Sequence, residues 1–129
     1  MVNTMALKKN GVVVGKGLSV SSKEDAEGTF KVITSVEDVL NLLETGANDK
    51  IVIVEDCGTT TLGPILSKIK GVICSTGSEG SHLAIVSREF EIPAIMSVRF
   101  SSIPYQDLDG KKGKIVSVDD EHGEIYLNE

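Results

Sequence analysis

The sequence has little aromatic character and few cysteines. Aromatic residues make up 4% of its 129 residues, tryptophan is absent, and there are two cysteines. A platform of stacked rings for bases or sugars is therefore hard to build. Cys57 and Cys74 lack the spacing of zinc ligands and lie in or beside apolar runs, so we expect buried small side chains and no metal site.

Positive charge and long apolar runs are also scarce. The formal net charge is −6, which argues against a nucleic-acid partner or an anionic membrane surface, because both demand a basic patch. No apolar run approaches the ~20 residues of a membrane span, and the N-terminus lacks the apolar region of a signal peptide. We therefore expect a cytoplasmic protein that binds neither nucleic acid nor membrane.

The chain has the length of one domain. We interpret residues 1–10 as a tail or edge strand and residues 11–129 as a single domain. A loop is predicted at Gly15-Lys16-Gly17, which does not complete a phosphate-binding P-loop, and a long turn is predicted from Ser19 to Gly28. Apolar runs predict strands at Val12-Val13-Val14, at Phe30-Lys31-Val32-Ile33-Thr34, at Val72-Ile73-Cys74, and at Ile51-Val52-Ile53-Val54, where successive apolar residues indicate burial on both faces.

Helical spacing predicts three helices between these strands. The first begins at Ser35, whose spacing to Asp38 is that of a capping box, and ends at Gly46. Its predicted apolar face consists of Val36, Val39, Leu40 and Leu43. The second helix would bury Leu62, Ile65, Leu66 and Ile69, and end at Gly71. The third would open at His82 and carry its apolar side chains at Leu83, Val86 and Phe90.

The end of the chain has a different pattern. Turn signals at Asp109-Gly110 and His122-Gly123 flank the segments Lys114-Ile115-Val116-Ser117-Val118 and Glu124-Ile125-Tyr126-Leu127, which predicts antiparallel hairpin structure. Strands and helices alternate in the middle of the chain, whereas both ends look all-β. We therefore expect a mixed α/β domain in layers.

The most informative stretch lies where a glycine-bearing loop after Val72-Ile73-Cys74 becomes the third helix, at His82. A helix start presents unpaired backbone N–H groups and the positive end of the helix dipole, so it favours an anion. A neutral histidine ring nitrogen there can act as a nucleophile while the surrounding amides receive a phosphoryl group. We predict that His82 carries phosphate.

Residues 77–89, followed by Ile92-Pro93-Ala94-Ile95, resemble the phosphohistidine or mobile domain of enzymes that use phosphoenolpyruvate, such as pyruvate phosphate dikinase, phosphoenolpyruvate synthase and enzyme I of the sugar phosphotransferase system. The residues that carry the resemblance are Gly77, Ser81, His82, Ala84, Ile85, Val86, Arg88, Glu89, Ile92, Pro93 and Ala94. The family's closing elements match Asp109-Gly110, Val116-Ser117-Val118-Asp119 and Gly123-Glu124-Ile125. The resemblance implies a three-layer swivelling β/β/α fold.

It also implies that His82 is the catalytic residue, transiently phosphorylated from ATP or phosphoenolpyruvate, and that the domain swings to pass the group to pyruvate or another acceptor. Gly77, Gly80, Ser81 and Arg88 are the candidates for phosphoryl binding or support, and Arg88 is also a candidate for a structural or interface ion pair. The nucleotide or phosphoenolpyruvate, with Mg, is expected on a partner with an ATP-grasp or a phosphoenolpyruvate- or pyruvate-binding domain. The chain is then a phosphotransferase component, either a separate subunit or a piece of a longer enzyme.

Three positions depart from the family pattern. Ser78 stands where the family has a second glycine, Gly80 where it has threonine, and Leu83 where it has alanine. They keep open a non-catalytic interaction or regulatory module with the swivelling fold, and a domain that binds an acid at the same helix start without covalent chemistry. A covalent phosphohistidine would distinguish the carrier from both.

Overall fold

The computed structural model describes residues 11–20, 25–54, 62, 65, 67–76, 82–100, 104–118 and 121–128. The predicted tail at residues 1–10 lies outside them. In chain order the described elements are β1 (Gly11–Ser19), β2 (Ala26–Val32), α1 (Val36–Thr45), β3 (Lys50–Val54), β4 (Gly71–Cys74), α2 (His82–Phe90), β5 (Ala94–Phe100), a 3-10 helix (Tyr105–Leu108), β6 (Lys112–Ser117) and β7 (His122–Asn128). The fold is therefore mixed α/β and dominated by its sheet.

The strands close into a barrel in the order β1-β5-β4-β3-β2-β6-β7. Neighbours among β2, β3, β4 and β5 run parallel. The remaining pairs, including the hairpin of β6 and β7, are antiparallel. The hairpin confirms the prediction for the end of the chain. Helix α1 joins β2 to β3, and helix α2 joins β4 to β5, as parallel connections require.

Two hydrophobic cores lie on opposite sides of the parallel strands. Ile51 and Ile53 point into the barrel, where they pack with residues from all the other strands, among them Phe30 and Ile73. Val52 and Val54 point outward into a second core, the outer core, which includes residues from α1 and α2. All four side chains of this run are at least 95% buried. The predicted burial of β3 on both faces is confirmed.

Glycines in β1 and β7 were expected in turns, and the structure corrects this. The predicted loop at Gly15-Lys16-Gly17 is wrong, because β1 runs on to Ser19. Gly17 pairs with Gly123 of β7, and a Cβ at Gly17 would lie 2.6 Å from the carbonyl oxygen of Met96. Glycine here permits close approach of strands rather than a turn. The predicted turn at His122-Gly123 is wrong for the same reason, since both residues begin β7.

The long turn predicted from Ser19 to Gly28 is too long. Ala26, Glu27 and Gly28 already pair with β6, so β2 begins earlier than its apolar residues indicated. The predicted second helix is described only in part. Leu62 is helical and Ile65 lies in a 3-10 turn, and both are buried in the outer core together with Ile69. Leu66 lies outside the described residues.

The predicted ends of α1 are confirmed. Ser35 Oγ accepts a hydrogen bond from the backbone N–H of Asp38 at 3.4 Å, and the Asp38 carboxylate accepts one from the N–H of Thr34 at 2.9 Å. This bond from Thr34 is the main reason why the pKa of Asp38 lies below its ordinary value. At the other end, Gly46 has φ 108° and donates its N–H to the carbonyl of Leu42.

The predicted apolar face of α1 is largely wrong. The helix is anchored in the outer core by Val39 and Leu42, which are almost fully buried. Val36, Leu40 and Leu43 are instead exposed, at 61%, 51% and 40%. The helix is thus turned so that an i, i+3 pair faces the barrel, and an i, i+4, i+7 stripe of apolar side chains faces away from it.

Candidate functional site

The candidate site lies at the carboxyl edge of the parallel strands. Strand β4 ends at Cys74 and runs parallel to β3 and β5. Helix α2 then begins at His82, so the predicted helix start is confirmed. Gly77, Gly80 and Ser81 lie outside the described residues, and the role of His82 as phosphoryl acceptor stays a prediction. In α/β folds, ligand sites commonly lie at the carboxyl edge of the parallel strands.

The electrostatics of α2 favour an anion at its start. The first turn contains no acidic residue, whereas Arg88 lies in the last turn. The positive end of the helix dipole is therefore not compensated by a carboxylate of its own first turn, and Arg88 complements the negative end. The first backbone N–H groups of a helix have no acceptor within it, so they can bind an anion in front of the helix.

Small side chains bring α2 close to the barrel. Ala84 and Ser87 are fully buried, and Val86 packs at the edge of the outer core. Phe90 is 49% exposed, so its assignment to the buried face is wrong. Leu83 lies outside the residues whose side chains the structure describes. Because Ala84 and Ser87 are three residues apart on one face, the helix rests on the sheet along a narrow line.

The end of α2 is fixed by a Schellman motif. Glu91 has a φ of 59°, and its N–H bonds to the carbonyl of Arg88. The N–H of Ile92 bonds to the carbonyl of Ser87 at 2.9 Å, and Ile92 is buried. This is the usual hydrogen-bond pattern of a helix that ends on a left-handed residue. It fixes the direction of α2 and therefore the position of its first residue.

Arg88 anchors the helix to the first strand. Its Nη1 donates a hydrogen bond of 2.8 Å to the carbonyl oxygen of Val20, directly after β1. Arg88 lies six residues after His82, about 9 Å further along the helix axis. The contact makes Arg88 a positioning residue for α2, and its predicted support of a phosphoryl group stays a prediction.

The segment between β4 and the loop is held from both sides. The N–H of Ser75 bonds to the carbonyl of Val54 on β3 at 3.1 Å, and the carbonyl of Thr76 accepts the N–H of Ser97 on β5 at 3.4 Å. Ser97 has a φ of 52°, a left-handed conformation that is uncommon outside glycine. No local pattern in the sequence points to Ser97, because its role follows from the pairing of β4 with β5.

Cys74 is fully buried, as expected. It is disulfide-bonded, however, and is not a free thiol. Cys57 lies outside the described residues. Within the part of the chain that the structure describes, no group of three or more His, Cys, Asp and Glu residues is placed to hold a metal ion. The same part contains no helix long and apolar enough to cross a membrane.

Comparison with known proteins gives consistent matches. The family model for the mobile domain of PEP-utilising enzymes matches residues 46–123. A probable phosphoenolpyruvate synthase of Archaeoglobus fulgidus is 28% identical over 116 residues, which cover 90% of this chain and 14% of the relative. The phosphoenolpyruvate synthase of Escherichia coli is 29% identical over 90 residues, covering 70% of this chain and 11% of the relative.

Two further matches extend the comparison. A chondramide synthase of Chondromyces crocatus is 29% identical over 111 residues, 86% of this chain and 3% of its own length. Among solved structures, a muramoyltetrapeptide carboxypeptidase from Oxalobacter formigenes superimposes with a TM-score of 0.54 at 13% identity, over 98% of this chain and 53% of the other. That likeness concerns the fold alone. The chain spans only a small part of the curated relatives that it matches.

Proposed function

Because the chain belongs to the mobile-domain family of PEP-utilising enzymes, we propose that it is a phosphoryl carrier and that His82 accepts the phosphoryl group. One observation carries the proposal. His82 is the first residue of α2, and no acidic residue of that first turn compensates the helix dipole. An incoming phosphoryl group would therefore meet backbone N–H groups and a positive potential at the point where the histidine is placed.

The chemistry needs two displacements at phosphorus. A neutral ring nitrogen of His82 attacks the phosphorus of ATP or phosphoenolpyruvate on a partner, so that an N–P bond forms as the P–O bond breaks. The electron pair leaves on the oxygen of the nucleotide or of the pyruvate enolate. An oxygen of the acceptor, such as pyruvate enolate, then attacks, and the N–P electrons return to the ring. The helix dipole favours the phosphorylated form by about 0.3–2 kcal/mol, a small bias that suits a carrier.

The residues around His82 support the group in different ways. We assign backbone contacts to Gly77 and Gly80, because glycine lets a ligand approach the main chain closely. Ser81 would cap the helix or contact a phosphoryl oxygen. Arg88 would act by positioning α2, since its hydrogen bond to the carbonyl of Val20 holds the helix against the barrel.

The swivelling β/β/α arrangement is part of the proposal. Helices α1 and α2 cover the outer face of the parallel strands, and the barrel interior separates those strands from the antiparallel ones. This distribution supports three layers with His82 at one edge. A domain with its site at an edge can visit two active sites by rigid-body rotation. Partner domains, which the relatives have room for in the rest of their length, would hold the ATP or phosphoenolpyruvate and its Mg.

The test compares wild type with His82→Ala. Each protein is incubated with an extract of the source organism and either ATP or phosphoenolpyruvate, then examined by intact mass. We expect one added phosphoryl group, labile in acid and stable in base, in wild type alone. If wild type stays unmodified with both donors while a known family domain is phosphorylated by its own partner, the carrier role is wrong. The non-catalytic interaction module would then replace it.

A further inference from the structure

Strand β5 contains a β-bulge where it pairs with β1. The partners of Lys16 and Leu18 on β5 are separated by two residues, whereas Gly17 alone separates the two residues on β1. The bulged pair is Ser97 and Val98. Ser97 has a φ of 52°, which is the conformation of the first residue in the class of bulge where glycine usually stands. Ser97 therefore holds a left-handed backbone in the middle of a strand.

Gly17 makes room for this bulge on the opposite strand. A Cβ at Gly17 would lie 2.6 Å from the carbonyl oxygen of Met96 and 2.9 Å from a side-chain carbon of Val98. Both distances are shorter than van der Waals contact, so any larger residue here would displace β5 at the bulge. The left-handed residue of β5 and the missing side chain of β1 thus belong to one feature of the sheet.

The bulge extends the hold of β5 onto the chain beyond β4. The N–H of Ser97 bonds to the carbonyl of Thr76 at 3.4 Å, and Thr76 lies two residues after the end of β4 at Cys74. Residues 77–81 follow Thr76 directly and lead to His82. The bond from Ser97 therefore fixes the point from which the chain departs toward the candidate site.

The same strand also positions the helix that begins with His82. Helix α2 is followed along the chain by β5. Met96, the neighbour of Ser97, is fully buried in the outer core, which also contains Ala84 of α2. Two consecutive residues of β5 thus hold the two sides of the candidate site, Met96 through the helix and Ser97 through Thr76. A change at the bulge would alter their relative position.

We propose that Ser97 is a positioning residue for phosphoryl acceptance by His82. Its left-handed backbone directs the N–H to the carbonyl of Thr76 and so sets the place of residues 77–81 in front of α2. This role rests on the proposed phosphorylation of His82. It belongs to the backbone conformation, because the Ser97 side chain is exposed and need not touch the phosphoryl group. Left-handed residues other than glycine are costly, and they cluster at functional sites.

Substitutions at Ser97 separate the backbone from the side chain. Ser97→Gly removes the hydroxyl but adopts the left-handed conformation without strain. Ser97→Val disfavours that conformation strongly, because its side chain is β-branched. Gly46→Val is the matched control for strain. Gly46 also has a positive φ, of 108°, and a Cβ there would meet nothing within 4 Å. It ends α1 on the way to the amino end of β3, at the edge opposite the candidate site.

The measurement is the rate at which phosphoramidate, a small phosphoryl donor, modifies the full chain. The P–N bond of the donor breaks as a bond from His82 to phosphorus forms, and its electron pair leaves with ammonia. Intact mass follows the reaction at a temperature where every variant is folded, and modification that persists in His82→Ala is subtracted. Amide NMR shifts of Thr76 and His82 are recorded on the same proteins.

We expect Ser97→Gly to react within about twofold of the wild-type rate and Ser97→Val about three- to tenfold more slowly, the effect of losing one hydrogen bond. The Thr76 and His82 amides should shift in Ser97→Val. Both valine variants should lower the midpoint of thermal unfolding by about 5 °C or more. Gly46→Val should nevertheless keep the wild-type rate and the wild-type shifts of these two amides.

Three results would overturn the proposal. Equal rates in Ser97→Gly and Ser97→Val would remove the backbone role, and an equal loss of rate in Gly46→Val would assign the effect to stability alone. An unchanged Thr76 amide in Ser97→Val would mean that the bulge does not hold this segment. A wild type that gains no phosphoryl group on His82 would instead contradict the carrier role itself, so the two failures are distinguishable.

Discussion

The helices α1 and α2 pack on the same core but differ in the charges at their starts. Helix α1 has Glu37 and Asp38 in its first turn, and the Ser35 hydroxyl caps it. Helix α2 has no acid in its first turn and begins with His82. Both end on a left-handed residue, Gly46 in one case and Glu91 in the other. The carboxyl ends differ as well, since α2 has Arg88 in its last turn and α1 has no basic residue there.

That difference separates a structural helix from a candidate ligand site. In α1 the positive end of the dipole is compensated by the helix itself, so an external anion gains little there. In α2 no side chain of the first turn compensates the dipole, so an anion from outside the helix would do so. The sequence around His82 matches a family whose name refers to phosphoenolpyruvate use, and under the proposed carrier role a phosphoryl group would take the place of the missing acid.

The largest expected effect is on stability and concerns α1 alone. Leu42 is 2% exposed and Leu40 is 51% exposed. Leu42→Ala should lower the free energy of unfolding by about 2–5 kcal/mol, because it leaves a cavity in the outer core. Leu40→Ala should change it by less than about 0.5 kcal/mol. Urea denaturation measures both, and equal effects would mean that α1 does not pack as described.

A smaller effect concerns the cap of α1 and its pH dependence. Asp38→Ala should cost about 0.5–1 kcal/mol at neutral pH, since it removes an exposed charge-assisted hydrogen bond that solvent partly screens. The bond from Thr34 lowers the pKa of Asp38 below 3.8, so wild-type Asp38 stabilises the fold above that pH. Its contribution is lost as the pH falls through the folded-state pKa.

The measurement is the difference in unfolding free energy between wild type and Asp38→Ala from pH 7 down to pH 2. We expect the difference to shrink below pH 3.8. A difference that stays constant or grows on acidification would contradict the assigned cap.

The smallest effect tests the comparison between the two helix starts. It comes from a variant that gives α2 an acid near its start, as α1 has. Ile85 is 43% exposed and lies one turn after His82, on the same side of the helix. Ile85→Glu should stabilise the helix slightly and lower the yield of phosphohistidine about two- to fivefold, since the carboxylate competes for the dipole and repels the phosphoryl group. Ile85→Gln is the uncharged control. Equal yields in the two variants would remove the electrostatic explanation.

Local patterns predicted much of this fold. Ser35 and Gly46 mark the ends of α1 because capping depends on residues close in sequence. The run Ile51-Val52-Ile53-Val54 predicts burial on both faces because it has no polar residue at either alternate position. His82 was placed at the start of α2 by the change from a glycine-bearing loop to helical spacing. In each case the determining contacts are local.

The errors have a common physical cause, which is contact between distant segments. Gly17 and Gly123 look like turn residues, yet they are paired in a closed barrel whose interior is already filled by Ile95 and Val98. The rotation of α1 toward Leu42 is set by the sheet below it. The cavity lined by residues of β1, β5 and β7 is also formed by distant segments, and no spacing along the chain brings them together.

The central claim is that the phosphoryl group resides on His82, and fragmentation of the phosphorylated chain tests it most directly. The sequence has two histidines, so His122→Ala is a natural companion to His82→Ala. We expect the group on His82 in wild type and in His122→Ala, and no phosphohistidine in His82→Ala. A phosphoryl group found on His122, or one that persists in His82→Ala, would contradict the account.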